Sequence, residues 1–324
     1  MKASIIISSY NEKKYLIQAI ESCLHQDFRG DYEIIIGDDG STDGSVNIII
    51  NYVKKHPNKI KFFQHERNDG VYYAGYRMSH IREQALSIAA GEYLLILDGD
   101  DVISSDKLSK QVEFLERNKS YVACFTDFET FTSDSKSISK FSFSSIKRSV
   151  FWSNYYAHLS CFVFRRQVTE YFVDDNIDDN LATLSILKSG SIYHIPGVTF
   201  SYRHREESVW HQYDAIEQSM INLSFVQQAL ERKYFISSTF AKCCRSFSYL
   251  YKNRERLIED RYSLYFICHK DMRRGSLIEN IKNYDNLSLQ KKIFLHSFRA
   301  YSGVMFLLFK CYNRLSQKLS LFRF

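Results

Sequence analysis

Apolar residues in the first hundred positions of this 324-residue chain fall into two alternating patterns. "ASIIISSYNE", "YEIIIGDD", "KIKFFQH" and "YLLILDGDD" open as short, nearly all-apolar runs that break into polar residues, and they predict strands. Between them, "KKYLIQAIESCLHQ", "GSVNIIINYVKKH" and "SHIREQALSIAAGE" repeat apolar residues at helical spacing, as Leu16, Ile17, Ile20, Cys23 and Leu24 do. Asn11 or Ser9 is placed to cap the first helix, and Gly91 to end the third. Strands with no polar face, alternating with helices, describe an α/β fold with a parallel sheet covered on both sides. In such sheets ligands sit beyond the carboxyl ends of the strands. Here those ends are Ser8 to Tyr10, Asp38-Asp39 and Asp98 to Asp100.

After Asp106 the pattern predicts a helix over Lys107 to Arg117 and a strand over Tyr121 to Phe125. "TSDSKSISKFSFSSIKRS" is polar and Ser-rich, the composition of a loop passing over a site. "HLSCFVFRR" and "GSIYHIPGVTFSYRHR" predict strands, with a helix between them that contains Asp178 and Asp179. Beyond Trp210 long helical patterns take over, which divides the chain into residues 1–213 and a helical region, 214–324.

Charge sharpens that division. The last 110 residues carry 19 Lys/Arg against 8 Asp/Glu, whereas the first 214 carry 24 against 29. An acidic half and a basic half imply different tasks. No run approaches the roughly 20 apolar residues that span a bilayer, and no leader-like segment follows Met1. The seven cysteines are odd in number and form no CxxC pair, so they read as reduced thiols, and a cytoplasmic address is expected.

Two acidic clusters carry the chemistry: Asp38-Asp39 at one strand end, and Asp98-Gly99-Asp100-Asp101 at another about sixty residues later. Carboxylates gathered on a sheet edge repel one another unless a cation or hydrogen-bond donor arrives. A divalent cation carried by a diphosphate would be met by Asp100 with hard oxygen ligands, in the usual Mg²⁺ or Mn²⁺ manner. Gly99 would let the backbone approach that ligand closely. Turn and cap aspartates are the simpler reading of either cluster alone. Both clusters, in this order and within this alternation of elements, favour a ligand site.

With those residues in view, "SIIISSYNE", "DDGSTDGS" and "REQALSIAAGEYLLILDGDD" resemble the family 2 glycosyltransferases, nucleotide-sugar enzymes with the Rossmann-like GT-A fold. "DDNLATLSILKSG" followed by "IPGVTFSYR" matches more loosely, and the resemblance runs from about Ser4 to Arg203. It implies that Ser8, Tyr10 and Glu12 line a nucleoside pocket and that Asp39 accepts the base N–H. Asp38 and Asp43 would then hold the turn. It also implies that Arg82, nine residues before Gly91, belongs to the donor site, that Asp98 touches the ribose, and that Asp100 binds Mn²⁺ or Mg²⁺. The family's catalytic base stands in a Glu-Asp pair eleven residues before a Gly; Asp179 has that spacing from Gly190, with Asp178 in place of the Glu. An acidic first helical turn is the alternative account of the pair.

Two departures matter. Between Asn68-Asp69-Gly70 and Arg82 the chain holds roughly seven residues more than the family pattern, "VYYAGYRMSH" in part. The family's metal-reaching His, three residues after the Tyr of "YR", is Arg205 here, preceded by His204. Either His204 is the metal ligand in a shifted register, or Arg205 contacts the diphosphate directly; His211 is a third candidate, and Trp210 nearby could stack on a sugar.

From Ile281 onward eight Lys/Arg stand against one acidic residue, interleaved with Phe and Leu. Such a segment suits an anionic membrane surface, packing on the catalytic domain, or a homo-oligomer contact. No nucleic-acid recognition motif accompanies the charge. The expectation is an inverting, metal-dependent glycosyltransferase moving sugar from a nucleotide-sugar donor, by family habit a UDP-sugar, to a bacterial surface glycan or lipid-linked acceptor. Its competitors are a non-catalytic assembly subunit and a sugar nucleotidyltransferase. The latter needs a Gly-rich triphosphate loop that "SSYNEKKY" lacks.

Overall fold

The structure, a computed structural model, describes residues 1–66, 74–134, 136–142, 158–172, 179–205, 214–216 and 218–219. The chain divides into two compact units. The first joins Met1–Asp69, Ala74–Phe151 and Tyr156–Ser208; the second joins Gly70–Tyr73, Trp152–Tyr155 and Val209–Phe324. All described residues but 214–216 and 218–219 belong to the first. Apart from those five residues, the helical, basic C-terminal region expected from the sequence lies outside the described residues, as do Asp178, Trp210 and His211.

β1 (Ala3–Ser9), β2 (Tyr32–Asp38), β3 (Ile60–Gln64) and β4 (Tyr93–Asp98) are the four expected strands, arranged β3-β2-β1-β4 and parallel throughout. Every residue of β1 and β2 is buried, which is why neither alternates apolar with polar. Helices α1 (Leu16–Leu24), α2 (Ser45–Lys55) and α3 (Ala74–Ile88) connect or precede these strands, and α3 packs on β1 and β2. Beyond β4 the sheet continues with mixed polarity through β8 (Phe162–Arg165), β6 (Tyr121–Thr132), β9 (Ser191–His204) and the two-residue β5 (Val102–Ile103). The longest of these ladders, β6 with β9, is parallel. Helix α4 (Lys107–Arg117) lies where the pattern predicts it, and α5 (Asp179–Ser189) precedes β9. Among the described residues no helix is long and apolar enough to cross a membrane.

Three local expectations are corrected. The Ser-rich stretch is not wholly loop: Ser137–Phe141 forms β7, an antiparallel partner of β6. β6 itself runs to Thr132 rather than Phe125, because β9 pairs with it to the end. Neither Asn11 nor Ser9 caps α1, whose N-cap is Tyr15 without a side-chain bond. Instead Asn11, in the left-handed region at φ 53, accepts the Thr42 N–H through Oδ1 at 2.9 Å and ties the β1–α1 loop to the β2–α2 loop. Cys23, Cys124 and Cys161 are buried free thiols.

Candidate active site

Register alone assembles the centre of the site. Ser8 of β1 pairs with Gly37 of β2 on one side and Asp98 of β4 on the other, and Ser9 pairs with Asp38. The carboxyl ends of three parallel strands thus present Ser8, Asp38-Asp39 and Asp98 side by side. Asp38 closes its turn, accepting from Ser41 N at 2.7 Å and Ser41 Oγ at 2.6 Å. Partial burial pushes the Asp43 carboxyl up, but it accepts from Ser45 Oγ at 2.6 Å and from Lys13 N and Ser45 N, both at 2.9 Å, and these bonds hold it below the ordinary range. Both residues do the turn-holding work expected of them.

The remaining carboxylates each meet an arginine. Arg77 Nε stands 3.0 Å from Asp39 Oδ2. Arg82, 4% exposed, donates from Nη2 to Asp98 Oδ1 at 2.8 Å and from Nε to Ser8 Oγ at 3.3 Å. Arg205 Nε lies 2.8 Å from Asp100 Oδ2, and its Nη2 donates to Glu12 Oε1 at 3.2 Å. Asp101 Oδ1 accepts the backbone N–H of Arg203 at 2.8 Å, while Arg203 Nε donates to the Asp100 carbonyl at 2.7 Å. The Arg203 guanidinium, buried between the rings of Tyr15 (4.6 Å) and Phe131 (4.3 Å), also donates to Gln18 Oε1. Repulsion on the strand edge is thus offset by four guanidiniums from α3 and the end of β9, a compensation the sequence reading assigned to a ligand's cation.

Burial still weighs on the acids. It pushes the Asp100 carboxyl up to about 6 against the opposing pull of Arg205. Burial and then the Asp100 charge push both Glu12 and Asp101 well above the usual carboxylate range. Burial also works against the charge on Arg205, yet Asp100 and Glu12 outweigh it and raise that group. One Glu12 oxygen, Oε2, is buried with no hydrogen-bond partner. It faces Gly99, where a Cβ would come within 2.2 Å of it. Gly99 is therefore needed for the approach of a carboxylate, a role sequence reasoning gave to a ligand.

The other expected site residues fall as follows. Tyr10 lies in the bend after β1, half-buried. Asp179 is the first residue of α5, and its side chain lies outside the described residues. His204 is exposed, whereas Arg205 reaches Asp100. Arg77 was missed because it belongs to the extra segment "VYYAGYRMSH", part of which forms the first turns of α3. Arg203 and Arg205 carried a readable signal: residues two apart on a predicted strand share a face. Among the described residues no three His, Cys, Asp or Glu side chains converge as a ready-made cation cage.

A parallel α/β sheet with this acidic, arginine-laced rim defines the class. The sequence model of Glycosyl transferase family 2 matches residues 4–172, and the chain belongs to that family. The Bacillus spizizenii poly(ribitol-phosphate) beta-glucosyltransferase is 37% identical over 121 residues, 37% of this chain and 18% of that protein. In other curated relatives the match covers 20% to 60% of their length, so the chain spans less than two thirds of the relatives it resembles. Among solved structures, Staphylococcus aureus TarS 1–349 in complex with UDP-GlcNAc superposes with a TM-score of 0.58 at 18% identity, covering 94% of this chain and 89% of that one. The Pyrobaculum calidifontis mannosyltransferase PcManGT, in complex with GDP-Man and Mn²⁺, gives 0.53 at 16% identity, covering 94% and 87%. At these identities the likeness establishes the shared fold.

Proposed function

We propose that this chain is an inverting glycosyltransferase that moves a sugar from a nucleotide-sugar, by preference a UDP-sugar, to a hydroxyl of a bacterial surface glycan or lipid-linked acceptor. One observation carries the reading: Ser8, Arg82 and Asp98 interlock at the carboxyl ends of β1 and β4, with Asp39 and Asp100 on the same rim, in a chain of family 2. In this reading Ser8, Tyr10, Glu12 and Asp39 receive the nucleoside, with Arg82 bracing Asp98 against the ribose. The UDP-GlcNAc and GDP-Man complexes of the two structural neighbours, and the glucosyltransferase name of the Bacillus relative, support a nucleotide-sugar donor.

Asp179 is the proposed base. It takes the proton of the acceptor hydroxyl as that oxygen forms its bond to the anomeric carbon, and the bond from that carbon to the diphosphate oxygen breaks on the opposite face. The Asp100 carboxylate offers hard oxygens of the kind a divalent cation takes, with the unpartnered Glu12 Oε2 beside it, too few ligands to complete a shell without phosphates. Bound there, Mn²⁺ or Mg²⁺ would offset charge on the departing nucleoside diphosphate; His204 stays a candidate further ligand. The odd number of cysteines, without a CxxC pair, supports a cytoplasmic setting, and the basic segment after Ile281 supports contact with the inner membrane face or a second copy.

The test is Asp179→Asn, assayed for transfer and for nucleotide affinity with a panel of UDP-, GDP- and dTDP-sugars. Transfer should fall at least a hundredfold while nucleotide affinity changes less than threefold, since a base acts only in the transition state. A variant that keeps more than a few per cent of turnover removes Asp179 from the role. A wild-type chain that binds none of these nucleotides favours the non-catalytic subunit.

A further inference from the structure

We infer that Arg205 is an internal counter-cation that bars free divalent ions from the Glu12–Asp100 carboxylates and yields its place only when a cation arrives with a diphosphate. The inference rests on the nucleotide-sugar reading of this site. Arg205 spans both acids, 2.8 Å from Asp100 Oδ2 and 3.2 Å from Glu12 Oε1. All three side chains are largely withdrawn from solvent, at 15% exposure for Arg205, 11% for Asp100 and 8% for Glu12.

A dication settling on Asp100 beside the guanidinium would meet its positive charge inside this pocket. Two positive charges drawn together in a pocket largely withdrawn from water repel more strongly than they would in solvent. Pushing Arg205 aside is no easier, because it leaves a guanidinium without its two carboxylates. A diphosphate changes the exchange. Its oxygens accept a guanidinium fork as well as a carboxylate does, so Arg205 can pass to the phosphates while the cation takes over both Asp100 and Glu12, and no charge is stranded.

The local structure suits such an exchange. Arg203, two residues earlier, is fixed by Asp101, the Asp100 carbonyl, Gln18 and two aromatic rings. Arg205 has the two carboxylates and a more distant ring, Tyr15 at 5.8 Å. The unpartnered, buried Glu12 Oε2 shows that the carboxylates hold coordinating capacity that Arg205 does not use.

The experiment is a titration of Mn²⁺ into the full chain without nucleotide, read by loss of the free-ion electron paramagnetic signal and by calorimetry. Wild type should show no saturable site below about 1 mM, and Arg205→Gln should show one at least tenfold tighter. Asp100→Asn in the Arg205→Gln background should remove that site. Adding UDP should tighten Mn²⁺ at least tenfold in wild type and less in Arg205→Gln, since the variant has already lost the exclusion that the diphosphate relieves. If Arg205→Gln does not fold, Arg205→Lys, which keeps the charge, must exclude Mn²⁺ as wild type does. Wild type that takes up Mn²⁺ alone, an Arg205→Gln variant without a site, or an Arg205→Lys variant that admits Mn²⁺ overturns the inference. Wild type that excludes Mn²⁺ yet binds no UDP in its presence would instead sink the transferase reading and leave the exclusion standing.

Discussion

Glu12 and Gly99 share a space that admits no further atom: a Cβ on residue 99 would sit 2.2 Å from Glu12 Oε2, 3.2 Å from the Ser8 carbonyl and 3.3 Å from Leu16 Cδ1. The backbone groups around it cannot move without disturbing β1, since Gly99 N donates to the Ser8 carbonyl at 2.9 Å. Gly99→Ala must therefore expel the Glu12 carboxylate and break its contact with Arg205. The expected cost is about 1–3 kcal/mol of stability, the usual range for overpacking, with at least a tenfold loss of UDP affinity. Thermal melts and UDP titrations of the variant check both. Wild-type affinity in Gly99→Ala would show that the position of Glu12 does not matter to the donor.

Arg82 joins β1 to β4 through Ser8 and Asp98 while 4% exposed. Lysine cannot reproduce the two-pronged contact, so Arg82→Lys should lose about tenfold in nucleotide affinity. Ser8→Ala, which removes one acceptor, should cost about 1 kcal/mol. A double-mutant cycle on nucleotide binding should return a coupling near 1 kcal/mol; additive effects would mean that the two side chains serve the donor separately.

Lys107, fully buried, has no carboxylate partner among its bonds: it donates to Gln111 Oε1, the Cys161 carbonyl and Thr199 Oγ1. Burial pushes its ammonium down from 10.5 to about 8. Between those values the unfolded chain carries more protons on this group than the folded chain, so its contribution to stability rises as pH climbs from about 8 toward 10.5. Lys107→Met abolishes that contribution. The stability difference between wild type and variant, from denaturant titrations at pH 7.5 and 10.5, should move in favour of wild type by up to about 3 kcal/mol. A difference that does not change with pH would mean that the buried amine keeps an ordinary proton affinity.

The parallel half of the sheet was legible because β1, β2 and β4 are buried on both faces, and such strands announce themselves as unbroken apolar runs. Helix α4 was legible for a related reason: Leu108, Val112 and Leu115 put one apolar stripe inward between Asp106 and Asn118. The far end of β6 was not, since in "TDFETFT" the apolar Phe128 and Phe131 fall three apart, off the strand period, and the stretch becomes strand only through pairing with β9, about seventy residues away. β7 hides in serine for the same reason. Of the candidate site, Ser8, Asp39, Arg82, Asp98 and Asp100 were named through the family resemblance; register sets the strand ends that carry Ser8, Asp38-Asp39 and Asp98 side by side, and Arg82 reaches them from α3. What answers their charge could not be read locally. Asp100 and Arg205 lie more than a hundred residues apart, and nothing near either one announces the other. The "YRHR" alternation was the available clue, and it says which face those arginines take but not which acids they meet.

The central claim is that this rim receives a nucleoside diphosphate together with a divalent cation, and calorimetric titration of UDP into wild type and Asp100→Asn, with and without Mn²⁺, tests it most directly. Wild type should bind one UDP per chain, at least tenfold more tightly with Mn²⁺, and Asp100→Asn should lose that enhancement. Mn²⁺-independent binding of equal strength in both proteins, or no binding of UDP, GDP or dTDP by wild type, would contradict the account.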